Sequence, residues 1–210
     1  MLGMIKNFHI STTQRLVLLS LFFTFFAPKI LADIAGSKHD FTSKGWADGN
    51  ICNVCHTQHK ADSSVPNAPL WNHTVTTATF TPYSSATLNA SVGQPTGISK
   101  LCLSCHDGTV ALDSFGGRVG TTPGGGIGNN LKHHHPVSFV FDSELAVADG
   151  ALFDPSTQFT ALGGTVAHDL LVKGRLECSS CHDVHNKYNN KKLLKITEQH
   201  SALCLTCHDM

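Results

Sequence analysis

Methionine is nearly absent. The 210-residue chain has three, Met1, Met4 and Met210, so an exported form would keep only one. A thioether can therefore serve as a metal ligand at one position at most. Excess positive charge is missing as well, with 15 basic against 15 acidic residues. Long apolar runs are missing too, since LVLLSLFFTFF at 16–26 stops after 11 residues and is broken by Pro28-Lys29. A run of that length is too short to span a bilayer. With Lys6 and Arg15 before it and Ala32 closing it, the segment reads as a signal peptide over 1–32, the alternative being an uncleaved anchor. No cysteine lies near the cleavage point, which excludes lipid attachment there. Removal of the leader takes away Lys6, Arg15 and Lys29 and no acidic residue. The remaining 12 basic and 15 acidic residues give a net charge of −3. A net acidic chain is a poor partner for nucleic acid, whose binding depends on basic surface meeting phosphate. The remaining 178 residues suit one domain or two small ones.

No cysteine is left over either. All eight fall in four copies of CxxCH: Cys52/Cys55, Cys102/Cys105, Cys178/Cys181 and Cys204/Cys207. Disulfides between cysteines three apart would close such small loops that they constrain little of the unfolded chain. Zinc held by two CxxC pairs leaves the histidines unexplained. With 14 histidines in 210 residues, four such coincidences have a chance probability on the order of 10⁻⁵. CxxCH is the attachment signal for haem c. The two thiols form thioethers with the vinyl groups, and the following histidine faces the iron. The expected cofactor is four covalent haems c, with His56, His106, His182 and His208 as proximal ligands.

The sixth ligand must then be found among the other histidines. Met210 stands too close to His208 to reach the far face of the same haem. Nine non-motif histidines follow the leader: His39, His59, His73, His133, His134, His135, His168, His185 and His200. His59 and His185 stand out, three residues after a proximal histidine in CNVCHTQH and CSSCHDVH. On a helical backbone that spacing puts both rings on one side, so each would serve a neighbouring haem. His135 opens HPVSF, where proline fixes the backbone after the ring. His39 lies in GSKHDF near the start of the exported chain, within reach of a distant haem. His73 in PLWNHT is held in reserve, and His133, His134, His168 and His200 read as exposed or structural.

The motifs fall into a repeat. CxxCHxxH followed by LCLxCHD occurs at 52–59 with 101–107, and again at 178–185 with 203–209. This gives a two-haem module over 33–120, then a linker loop and second module over 121–210. Residues 61–100, rich in Ser, Thr, Pro and Asn, read as long loops. GGRVGTTPGGGIGNN (116–130) reads as a hinge or surface loop, and HPVSFVFD (135–142) as a short strand. The expected fold is mostly irregular and coil-rich, with short helices at the CxxCH sites and few short strands, wrapped around a stack of four haems.

GSKHDF, CNVCHTQH, APLWNHT, LCLSCHDGTVA, HPVSF, CSSCHDVHN and LCLTCHD, in this order, resemble the small tetrahaem cytochromes with paired CxxCH motifs. Within that group they are similar to the OmcE-type extracellular cytochromes that polymerise into nanowires. The resemblance implies low-spin bis-histidine haems, with His39, His59, His135 and His185 as distal ligands. It also implies one haem at the subunit boundary that takes a histidine from the adjacent copy, and the terminal position of His39 makes it the one expected to cross. The function implied is long-range electron transfer without catalysis, as the repeating unit of an extracellular or cell-surface filament. Its partners would be identical subunits stacked head to tail, other redox proteins or an extracellular acceptor, and no stable membrane insertion is expected of the exported chain. The alternatives are a soluble periplasmic tetrahaem shuttle and a reductase of a small oxyanion, which needs one iron with an open site. NKYNNKKLLK (186–195) is the only basic cluster and reads as a solvated surface rather than a docking face. The sequons at 72–74 and 89–91 allow sugar only in a host that has the machinery.

Overall fold

The structure, a computed structural model, describes residues 34–209, all within one unit of the chain. The signal peptide expected at 1–32 lies outside the described residues. Among those described, no helix is long and apolar enough to cross a membrane.

Regular structure is sparse among the described residues. The longest helix, α1 (Gly97–His106), carries LCLSCH at its end and buries Ser99, Leu101, Leu103 and Ser104. Ser104 is accommodated because its hydroxyl donates back to the Lys100 carbonyl at 2.8 Å, a bond that frees the side chain from seeking a partner elsewhere. Helix α2 (Ser143–Asp149) starts at Asp142, whose carboxylate accepts from the Leu145 N–H, and ends at Gly150 in the left-handed region at φ 75°. Both are ordinary helix signals. Helices α3 (Val166–Asp169), α4 (Cys178–Cys181) and α5 (Ala202–Leu205) are single turns. The two strands, β1 (Phe139–Val140) and β2 (Arg175–Leu176), pair antiparallel, with Phe139 opposite Leu176 and Val140 opposite Arg175. The strand expected within 135–142 is therefore present, though only two residues long.

Apolar packing forms three clusters rather than one. The largest joins Phe139 and Phe141 to Ala146, Val166, Leu170, Leu171, Leu176 and Ile196, with Cys207 packed against it. Val65, Trp71 and Leu101 form a second, against which Cys55 packs. Phe80, Leu103 and Leu131 form the third. Two faces of α1 thus enter different clusters, Leu101 one and Leu103 the other.

The glycine-rich segment 116–130 is a mostly exposed loop, the second of the two forms its composition allows, and it is tied down rather than loose. Ile127 N–H donates to the His106 carbonyl at 2.9 Å, and Leu112 N–H to the Thr122 carbonyl at 2.9 Å. Thr121 and Thr122 N–H groups both donate to the Asp113 carboxylate, at 2.9 and 2.7 Å. A Cβ on Gly124 would fall 2.7 Å from the Cys105 carbonyl oxygen and 2.9 Å from that of Val110. Glycine is needed there for close approach of two backbones, and the segment is docked on the end of α1.

Candidate haem sites

Each CxxCH begins as one tight turn. The N–H of the closing histidine donates to the carbonyl of the first cysteine at 2.9 Å in the first motif and 3.0 Å in the third and fourth. The same turn lies inside α1 for the second. This i to i−4 closure puts both sulfurs on one side, with the histidine next to them. The turn then stops. His182 is already extended, at φ −108° and ψ 140°, and it bridges Leu194, as His56 bridges Trp71. The helical backbone on which His59 and His185 would lie beside their own proximal rings is absent.

Three motif histidines each face one non-motif histidine. The ring centroids are 6.0 Å apart for His39 and His106, 6.2 Å for His185 and His56, and 6.3 Å for His135 and His208. The His56 and His185 rings are nearly parallel, with 9° between their planes. A metal–imidazole bond is about 2 Å long, so two rings on opposite sides of one iron stand roughly 6 Å apart centre to centre. The pairing is selective: each pair joins a CxxCH histidine to one nominated from sequence. His182 has no such ring partner among the described residues, and His59 is exposed without one.

The ring nitrogens also fit iron. Nδ1 of His56 donates to the Pro69 carbonyl at 2.6 Å, that of His182 to Lys192 at 3.0 Å and that of His135 to Pro136 at 2.9 Å. Nδ1 of His185 lies 3.5 Å from the Asp183 carboxylate. Tying Nδ1 in this way fixes the tautomer and leaves Nε2 for a metal. His73 is the counterexample. It is 1% exposed, with Nδ1 on the Thr74 carbonyl at 2.8 Å and Nε2 within 3.0 and 3.2 Å of the Ala111 and Leu112 carbonyls. Nε2 also lies 3.6 Å from Cys105 Sγ, and no other histidine ring faces His73 among the described residues. His168 is 81% exposed and bonded to Asp169, while His133, His134 and His200 are exposed.

Burial pushes the Cys55 thiol up to about 11, and Cys105 and Cys207 to about 12, whereas Cys178 is lowered, first by its interaction with Cys102. Among the described residues no three His, Cys, Asp or Glu side chains converge to hold a metal ion. His39 and His106 are both held below the ordinary histidine value, first by burial and then by neighbouring imidazoles, His182 among them. His208 is lowered by burial and then by His135.

The same influences link the motifs. Cys55 acts on Cys105, Cys178 on Cys102, and Cys181 on Cys207. Motifs adjacent in the sequence thus lie near one another. The outermost cysteines of this series, Cys52 and Cys204, are the exposed ones.

Sequence reasoning passed over two buried polar groups beside these sites. Thr76, wholly buried, donates to Asp107 at 2.5 Å and so braces the residue after His106. Glu177 is buried immediately before Cys178. The available signal was the residue preceding each motif, which is Ile51, Leu101 and Leu203 in three cases and Glu177 in the fourth.

The family described as the doubled CXXCH motif matches residues 168–210, which hold the third and fourth sites. No curated protein matches the chain. The motif match, with the coil-rich fold, supports a multihaem c-type cytochrome in which CXXCH binds haem c covalently. The role to which it points is electron transfer.

Proposed function

We propose that the chain carries four haems c, one on each CxxCH, and is the repeating subunit of an extracellular conductive filament. Bound haem supplies a reversible one-electron couple at each iron. The chain's own residues do the rest. Cys52/Cys55, Cys102/Cys105, Cys178/Cys181 and Cys204/Cys207 fix the groups in a linear series. His56, His106, His182 and His208 hold the near faces, and His185, His39 and His135 hold the far faces of the first, second and fourth. His59 of a neighbouring copy holds the far face of the third.

The observation that carries this reading is complementary incompleteness: three motif histidines have a ring partner in the chain, while His182 lacks one and His59 stands exposed. A head-to-tail contact satisfies both at once, and a heterologous contact of this kind propagates. Exposure of the two end cysteines, Cys52 and Cys204, further supports electron passage from copy to copy.

The test is electron microscopy of the native red protein sheared from cells, with carbon monoxide binding to the ferrous form. Filaments that bind no carbon monoxide, and a His59→Ala form that yields single chains binding one per chain, are the expected results. Single chains from the unmodified protein would replace the filament with a soluble tetrahaem shuttle. Turnover of nitrite or sulfite at an open iron would make it a reductase.

A further inference from the structure

One carboxylate is buried where the second and third motifs meet, and capping a single-turn helix does not account for its surroundings. Glu177 is 2% exposed. One of its oxygens accepts from Ser99 N–H at 3.1 Å, from the Ser99 hydroxyl and from the Ser138 hydroxyl at 3.0 Å. The other faces Arg175 Nε at 3.7 Å. Ser99 closes the junction by accepting from Cys178 N–H at 2.9 Å. Gly97 comes so near that a Cβ there would lie 3.1 Å from the carboxylate. The cysteines on either side, Cys102 and Cys178, lie close enough to influence each other. Where the other three motifs are preceded by an apolar residue, this one has a charge drawn into the joint.

A buried ion is costly unless it is paired and hydrogen-bonded, and a hydrophobic replacement is often no worse for stability. Three donors and a half-exposed guanidinium keep this one in place. Its field extends to both sulfur positions, adding to the rise at Cys102, which comes first from the interaction with Cys178, and opposing the fall at Cys178, which has the same first cause.

We infer that Glu177 is a shared tuning residue, whose fixed negative charge holds down the reduction potentials of the two groups attached at Cys102 and Cys178. This rests on the haem reading above. Reduction brings one electron to the iron and removes one unit of positive charge, so a nearby anion favours the oxidised state. One charge at the joint acts on both neighbours and leaves the first and fourth sites largely untouched, because interactions between charges weaken with distance and screening. The two middle sites would thus be matched to each other.

The test is a redox titration of the intact holoprotein, followed site by site through the haem methyl resonances in NMR. Glu177→Gln is expected to shift the second and third potentials upward, with the first and fourth unchanged. Arg175→Gln removes the compensating cation and is expected to shift the same two downward. Loosened packing moves both variants in one direction, so opposite signs are the signature of charge. Should Glu177→Gln fail to fold, the sign of Arg175→Gln decides alone. Unchanged potentials, shifts of the same sign, or equal shifts at all four sites would overturn the inference. Mass spectrometry of the same samples counts covalent haems: fewer than four per chain defeats the reading of four haem sites, whereas four with unshifted potentials defeats this inference only.

Discussion

Replacing Thr76 by valine removes a hydroxyl and keeps the shape of the side chain, so its cost can be built from the bonds lost. The hydroxyl donates to Asp107 Oδ2 at 2.5 Å, meets the Thr109 hydroxyl at 3.0 Å and accepts from Ala78 N–H at 3.1 Å. A hydrogen bond to a charged group contributes about 1.5–3 kcal/mol. Asp107 keeps Thr109 N–H at 2.7 Å and the Thr109 hydroxyl at 2.9 Å, which puts the loss near the lower end, about 2 kcal/mol. Stranding the Ala78 N–H adds about 1 kcal/mol. The sum, about 3 kcal/mol, corresponds to a melting point lower by roughly 6–12 °C for a chain of this size. Urea unfolding of the holoprotein, followed by circular dichroism and the Soret band, should show a lower midpoint with an unchanged slope. Thr76→Ser keeps the hydroxyl and loses one buried methyl, for about 1 kcal/mol. A Thr76→Val form within about 0.5 kcal/mol of the parent, the range of ordinary surface changes, would refute the idea that this hydroxyl braces the His106 turn. So would a Thr76→Ser form equally destabilised.

His39→Ala should leave the iron on His106 without its facing ring and raise carbon monoxide binding by one per chain, measured on the ferrous holoprotein. Gly124→Ala places a methyl against two carbonyl oxygens and should cost about 1–3 kcal/mol in unfolding free energy, as overpacking does, with faster amide exchange at Ile127. The Asp113 carboxyl is held below its ordinary value of 3.8 by the Thr122 N–H, with Thr121 assisting against the opposing effect of burial. Its contribution is therefore complete above 3.8 and lost as the pH falls below that toward the lower folded value. Asp113→Asn should flatten the acid limb of stability against pH there and leave the neutral region's slope unchanged.

The repeat made some of the structure legible and misled about the rest. LCLSC and LCLTC do build the same local arrangement, since the Ser104 hydroxyl donates to Lys100 and that of Thr206 to Ala202, both at 2.8 Å. That bond is local and travels with five residues of sequence. The aspartates that follow do not match. Asp107 is buried among Thr76 and Thr109, whereas Asp209 is exposed, with its N–H on the Ala151 carbonyl. Asp183 accepts from His185 and Lys187 N–H groups instead. What surrounds a residue from 30 positions away is invisible in a motif. The glycines of 116–130 left hinge and surface loop both open for a related reason, since glycine serves flexibility and close packing equally well, and only the approach of Cys105 and Val110 distinguishes them. The carbonyls that orient His56 and His182 belong to the backbone of Pro69 and Lys192, so no side chain could have announced them.

The ring pairs also bear on how the two halves depend on each other. His185, just after the third motif, faces His56 of the first; His135, between the second and third, faces His208 of the last. His39, ahead of all four, faces His106 of the second. Each pair therefore closes a loop that contains at least one other motif, and the His56–His185 loop spans the boundary between the two sequence repeats. Glu177 crosses it again through Ser99. Such long closures are slow to form and costly in chain entropy, and single-turn helices of four residues cannot offset that cost by themselves. On the proposed haem reading, iron–imidazole bonds made after covalent attachment would close them. On that reading the repeat supplies four attachment turns, and His39, His135 and His185 each join a turn other than the nearest one into a single electron path.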